Sequence, residues 1–211
     1  MFQQGRRIEA EIAAPGVVVQ VFNEDYPTPC EGVVQESDLT VALQRQPLQT
    51  VSNGRYCVAG ARASFGAIGR LLVVPADAPL QVRASGGTVR AVRCSFARAP
   101  LERHIGHAGA VAPAELESCL DVREPRIAGA LTRMGDEAVR PGFASAILTE
   151  ALGISVMVEL SRYLERVRLP SRIARGGLSA RQLKLIREQV EAERTSPTLE
   201  SLAGLVGVSR R

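Results

Sequence analysis

The chain has 211 residues, room for one ordinary domain with an appendage or for two small ones, so a real hydrophobic core can form. With 45% hydrophobic and 23% charged residues and a net charge of +4, general disorder is excluded, and no apolar run approaches the roughly 20 residues of a membrane helix. The charge is uneven: residues 161–211 hold eleven Lys and Arg against five Asp and Glu, a surplus of six, whereas residues 1–160 hold 15 against 17. A basic tail on a near-neutral body is what a polyanion-binding module joined to another domain would show, and a solvated helix surface can produce it too.

The first seven residues, Met1 to Arg7, lack the apolar segment and small-residue cleavage site of a signal peptide, so the expected location is the cytoplasm. Cys30, Cys57, Cys94 and Cys119 form no C-x-x-C pair, which suits four independent thiols in a reducing compartment.

Short β-segments follow, at Val17–Phe22, Leu39–Leu43, Leu71–Val74, Leu80–Ala84 and Thr88–Phe96, rich in Val and Leu and partly alternating in polarity. Asn53-Gly54, Pro75-Ala76-Asp77 and Ser85-Gly86-Gly87 read as turns, the last two at hairpin distance between strands. Many short strands at this spacing predict a small antiparallel barrel or sandwich. Glu36 and Asp38, two carboxylates at strand spacing, read as exposed edge charges.

After Pro100 the pattern changes. Residues 101–112, with both His104 and His107, read as a linker. Pro113–Leu120 can begin a helix with Pro113 in its first turn, and Ile127–Met134 is a second short helix. The strongest helix is Ala144–Arg166, where Ile147, Leu148, Ala151, Leu152, Ile154, Val158 and Leu160 recur at three- and four-residue intervals. That apolar face is wide enough to meet both its own barrel and a second copy of the chain. Pro170 ends the helix, and Arg172–Gly177 reads as an exposed joint.

Beyond the joint, Ser179-Ala-Arg-Gln182 has the form of a capping box, and Leu183, Ile186 and Val190 give a narrow apolar stripe on a helix running to about Arg194. Thr198 is a good N-cap for a helix over Leu199–Val206, Gly207 suits a left-handed turn, and Ser209 can cap another helix that starts with Arg210 and Arg211. Helix, glycine turn, cap and basic helix start make a helix-turn-helix, although a plain helical hairpin shows the same features.

The stretch from Gly177 to Arg210 resembles the opening of the DNA-binding domain of the AraC/XylS family of transcription regulators. Leu199, Leu202, Ala203, Gly207 and Ser209 match that family's L-x-x-L-A-x-x-x-G-x-S motif. Residues 126–168 resemble the family's dimerisation helices, and Gly69–Cys94, with its Val-Pro-Ala turn, resembles the last strands of its cupin-like sensor barrel. The resemblance implies an α+β fold with a cupin-like effector-sensing barrel over residues 1–100, linker and dimerisation helices over 101–170, and an incomplete helix-turn-helix domain over 171–211. It further implies a homodimer through Ile147, Ala151, Ile154 and Val158, a small-molecule effector, and DNA contacts by Ser209, Arg210 and Arg211 in the full-length protein.

An enzymatic cupin holds a metal with several histidines and a carboxylate, whereas residues 1–103 contain no histidine, and Asp77 and Leu80 stand where such a barrel has Gly and His. The expectation is therefore a protein that is not an enzyme, with no catalytic or metal residues and no cofactor. The alternatives are a cupin-fold enzyme, metal-dependent or metal-free, and a barrel used only for dimerisation. Arg55, Tyr56, Arg62 and Arg93 can anchor an acidic or phenolic effector or simply face solvent, so no effector-binding residue is singled out.

Overall fold

A computed structural model describes residues 6–26, 28–45, 51–62, 64–99, 111–168 and 198–206, together with Ile186 and Gln189. The chain divides into two compact units, Met1–Arg168 and Leu169–Arg211.

Among the described residues of the first unit, nine strands form two antiparallel sheets. β1 (Arg6–Ala14), β2 (Val17–Tyr26), β9 (Gly87–Phe96), β4 (Leu39–Gln44) and β7 (Leu71–Val74) lie in that order in the larger sheet. β3 (Cys30–Val34), β8 (Leu80–Ala84), β5 (Ser52–Tyr56) and β6 (Gly66–Ala67) make the smaller one. A 3-10 helix, Pro113–Cys119, leads into α1 (Pro125–Val139) and α2 (Ser145–Arg168). In the second unit the described element is α3 (Leu199–Val206). All four cysteines are free, and among the described residues no helix is long and apolar enough to cross a membrane.

The larger sheet has two unlike faces, because side chains alternate along each strand. Cross-strand register lines up Val19, Cys94, Val41 and Val73 in one row and Val21, Val92, Leu43 and Leu71 in the next. All eight are at most 2% exposed. Helices α1 and α2 cover this face. Met134 Sδ lies 4.0 Å from Cys94 Sγ, and the Gly153 backbone comes so close to Val17 and Phe96 that an added Cβ would sit 3.2 Å from Val17. Much of the packed core therefore lies between sheet and helices, and the same buried cluster extends to Tyr56, Leu80 and Val82 of the smaller sheet.

The opposite face carries Gln20, Arg93, Ala42 and Leu72 in one row and Phe22, Ala91 and Gln44 in the next. It turns toward the smaller sheet, whose Val34, Val82 and Ala84 look back at it. The smaller sheet's outer surface is polar: Arg83 pairs with Glu31 at 2.8 Å, and Arg83 and Arg55 flank the Phe65 ring at 4.1 and 4.9 Å.

Five of these strands start and stop within four residues of the sequence-based expectation, and three turns behave differently. The strands on either side of Pro75-Ala76-Asp77 do not form a hairpin, since β7 belongs to the larger sheet and β8 to the smaller. Asp77, at φ 60°, turns the chain there, and its N–H bonds Glu36 O at 2.7 Å. Ser85-Gly86-Gly87 likewise carries the chain back from β8 to β9, with Gly86 at φ 94°. Both turns change sheet because Leu71 and Val73 complete the helix-facing rows while Leu80 and Val82 belong to the facing layer. Asn53-Gly54 is no turn at all: it lies within β5, and the glycine is there for space, since a Cβ would meet Ile68 Cδ1 at 3.0 Å and Leu80 Cδ1 at 3.1 Å. β1, β3, β5 and β6 were not expected from the sequence.

The helices after Pro100 match more closely. Pro113 does open a helical turn, of 3-10 type, with Glu115 accepting the Ala112 N–H at 3.0 Å. Ile127–Met134 is the middle of α1, and Ala144–Arg166 is α2 displaced by one or two residues. Arg168 at the end of α2 grips Glu115 at 2.6 Å, and Arg166 pairs with Glu124, so the helix end is tied to the segment that precedes α1. Thr198 caps α3 as its residue type suggests, its Oγ1 accepting the Ser201 N–H at 3.2 Å.

The closest sheet-to-helix approach is at Gly135, where a Cβ would fall 2.5 Å from Val92 Cγ2. Gly135→Ala is expected to destabilise the protein by about 1–3 kcal/mol through overpacking, and adding Val92→Ala to it should recover part of that loss. Urea denaturation of the two single variants and the double variant measures this; equal, additive losses would refute the contact.

Candidate functional site

Between the two sheets lies a cavity of about 130 Å³. It exists because the wall residues are small where the sheets face each other: Ala42 and Ala91 on the larger sheet and Ala84 on the smaller. Val34, Leu72, Val74 and Val82 supply its aliphatic surface.

The rest of the wall is charged. Arg6 on β1 pairs with Glu24 on β2 at 3.2 Å, directly across the ladder, and its guanidinium stacks 4.5 Å from the Phe22 ring centroid. Arg93 on β9 pairs with Glu36, which follows β3, and its other terminal nitrogen reaches Gln20 Oε1 at 3.4 Å. Gln44, Ser52, Thr40, Tyr26 and Arg70 complete the polar lining.

Burial makes this cluster electrostatically costly. Glu24 is only 3% exposed, and its Oε1 has no hydrogen-bond partner; neither has the buried Arg93 Nε. Desolvation lowers the Arg93 pKa despite the nearby Glu36, with Arg6 adding like-charge repulsion. Burial also pushes the Tyr26 phenol well above its ordinary range, helped by the negative charge of Glu24 and a hydrogen bond to it. The cavity wall thus combines fixed charges of both signs with an aliphatic surface.

The sequence-based candidates divide sharply. Arg93 does enter the cavity. Tyr56 is buried, but its hydroxyl is used by the Val73 carbonyl. Arg55 lies on the outer surface of the smaller sheet with Gln81 at 2.7 Å, and Arg62 pairs with Glu117 at 2.6 Å on the surface. Glu36 is corrected: it is a half-buried cavity residue, not an edge charge, because it must neutralise Arg93. Asp77 pairs with Arg98 at 2.8 Å and Leu80 is a core residue. His104 and His107 lie outside the described residues. Among the described residues no group of three or more His, Cys, Asp or Glu side chains is placed to hold a metal. Arg6 and Glu24 were missed. The signal that pointed to Glu24 is the second face of β2, Gln20, Phe22 and Glu24, alternating with Val17, Val19 and Val21.

A second feature lies on α2. Its barrel-facing side is Gly153, Val156, Met157, Leu160 and Leu164, with Ser145, Thr149 and Ser161. Ile147 is 69% exposed and Ile154 38%; Ala151 is exposed and Val158 half-buried. With the fully exposed Phe143 just before the helix, these residues recur at spacings of four, four, three and four along one outward line. Ser209, Arg210 and Arg211 lie outside the described residues. So do Ser179-Ala-Arg-Gln182 and Gly207.

No family model and no curated protein matches the chain. Among solved structures, the AraC-like transcriptional activator CuxR is similar over 94% of this chain and 69% of its own, at 9% identity and a TM-score of 0.50. A cupin superfamily protein from Desulfitobacterium hafniense DCB-2 is similar over 44% of this chain and 78% of its own, at 12% identity and a TM-score of 0.32. The cupin domain of Schizosaccharomyces pombe Cnp3 is similar over 47% and 70%, at 12% identity and a TM-score of 0.33. The fold is α+β: two antiparallel sheets followed by helices.

The Arg93–Glu36 pair supplies a direct test of the cavity's electrostatics. Arg93→Met strands Glu36 in a half-buried site and should cost about 1–3 kcal/mol, less than a fully buried pair because both groups keep some solvent. The double variant Arg93→Met with Glu36→Met should recover most of it. Chemical denaturation gives the coupling, and a double variant as unstable as the sum of the two single ones would show that the pair is not coupled.

Proposed function

We propose that this chain is the sensor and dimerisation portion of an AraC-type DNA-binding transcriptional regulator and works in the cytoplasm without catalysis. Residues 1–100 bind a small-molecule effector in the barrel, residues 101–170 supply the linker and dimerisation helices, and residues 171–211 begin the helix-turn-helix domain.

The observation that carries the sensor role is a cavity with a charged and aliphatic lining between the two sheets, on the side of the larger sheet away from the helices. A ligand can enter or leave such an interior without dismantling the packed layer against the helices. Control of DNA binding then requires that the effector bind more tightly in one state of the protein than in the other. The outward stripe of Ile147, Ala151, Ile154 and Val158 supports a homodimer, since a single apolar line on one long helix can meet its own copy in roughly antiparallel pairing. The Thr198-capped helix Leu199–Val206, which bears Leu199, Leu202 and Ala203 of the family motif, supports the DNA-binding role. In the full-length protein Ser209, Arg210 and Arg211 open the recognition helix and contact DNA.

Two measurements test this reading. The chain is expected to sediment as a dimer and Ile154→Glu as a folded monomer; an unchanged dimer would remove α2 as the interface. A screen of small acids, phenols, amino acids and sugars should find a compound that raises the melting temperature, worth about 2.7 kcal/mol at 100 times its Kd. Ala91→Leu, which fills the cavity from β9, should abolish that shift, and a shift that survives the filling would place the effector outside the barrel.

A further inference from the structure

The charge balance of the cavity wall limits what the effector can be, and this inference rests on the sensor reading above. The lining holds three arginines, Arg6, Arg70 and Arg93, against two glutamates, Glu24 and Glu36. Glu24 neutralises Arg6 and Glu36 neutralises Arg93, which leaves one surplus positive charge. That charge is Arg70. Its Nε donates to the Gln44 carbonyl at 3.0 Å, and among the described residues no carboxylate pairs with it, so its terminal nitrogens keep their donors.

Two further uncommitted groups stand at the same end of the cavity. Gln44, the last residue of β4, is tied back to Arg70, its N–H donating to the Arg70 carbonyl at 2.9 Å. Ser52, the first residue of β5, accepts at its carbonyl the N–H of Ile68, two positions before Arg70, at 2.9 Å. The Gln44 carboxamide and the Ser52 hydroxyl make no hydrogen bond among the described residues. Both residues are half-buried and Arg70 is exposed, so an incoming molecule can reach all three.

A cation placed there would add to the Arg70 charge. A monoanion cancels the surplus, whereas a dianion sets a new negative charge beside Glu24 and Glu36. A carboxylate also matches the planar fork of the guanidinium, which can bond both of its oxygens. Behind this polar end the wall is aliphatic, with Ala42, Ala84, Ala91, Leu72 and Val82. The volume of about 130 Å³ is a little under the ~150 Å³ that accommodates a benzene ring, so the occupant has about six non-hydrogen atoms.

From charge, accessible donors and size together we infer that the cavity binds a short-chain monocarboxylate of the size of butyrate. Its carboxylate sits on Arg70, Gln44 and Ser52, and its alkyl tail among the alanines, Leu72 and Val82. Arg70 is thus the residue that selects the ligand's charge.

Isothermal titration calorimetry on the unmodified chain tests the inference with butyrate and isobutyrate against butyramide, which keeps the shape without the charge, and butylamine, which reverses the charge. At least one of the two acids should bind, and butyramide and butylamine should bind about 10- to 100-fold more weakly, because the charge-assisted bonds are lost. Arg70→Gln, at an exposed position outside the core, should bring the acid down to the affinity of butyramide while leaving butyramide binding and the melting temperature unchanged. Butyramide binding the unmodified chain as tightly as butyrate, or an acid affinity untouched by Arg70→Gln, would overturn the inference. If neither acid binds while another compound of the wider screen does so in an Ala91-dependent way, the carboxylate assignment fails and the sensor reading stands. If nothing in that screen binds at all, both fail together.

Discussion

The larger sheet works as a partition, and the rest of the molecule depends on it. One face is committed to two rows of Val, Leu and Cys side chains that α1 and α2 seal from water. Burial on that scale is the dominant favourable contribution to folding, at about 25 cal/mol for each Å² of apolar surface removed from water. Because the stabilising layer is on the helix side, the other face is free to carry Arg93, Gln44 and Glu24, groups that a close-packed interior between the sheets would not tolerate.

The same division repeats on α2. Its inward side mixes Val156, Met157, Leu160 and Leu164 with small and weakly polar residues, so that Gly153 approaches Val17 and Phe96, and Ser161 donates to the Met157 carbonyl at 2.9 Å. The larger aliphatic residues Ile147 and Ile154 point outward. The helix therefore keeps apolar surface on its outward side as well as on its buried one. The barrel, through the 3-10 helix and the Glu115–Arg168 pair, is tied to the far end of this helix, close in sequence to the start of the second unit.

Much of the strand pattern was legible locally. Leu71–Val74 and Leu80–Ala84 are bounded as their Val and Leu content suggests, and the long helix after Ala144 is legible from its three- and four-residue repeat. The repeat did not say which side of the helix is buried, because Ile147 and Leu160 count alike in a periodicity while only Leu160 finds a partner on the sheet. The pairing of Arg93 with Glu36, 57 positions apart, has no local signature either.

What the amino-acid order determined by itself is what neighbours in sequence decide: where β-branched residues favour extended backbone, where Thr198 starts a helix, and where proline opens a turn of helix at Pro113. Tertiary structure alone decided which sheet each strand joins, that Gly54 is needed for space and not for turning, and that five charged side chains, Arg6, Glu24, Glu36, Arg70 and Arg93, meet around one cavity. The physical reason is that side-chain alternation assigns residues to two faces but does not say what covers each face. That is settled only when helices from the second half of the first unit take one side of the sheet and leave the other to the cavity.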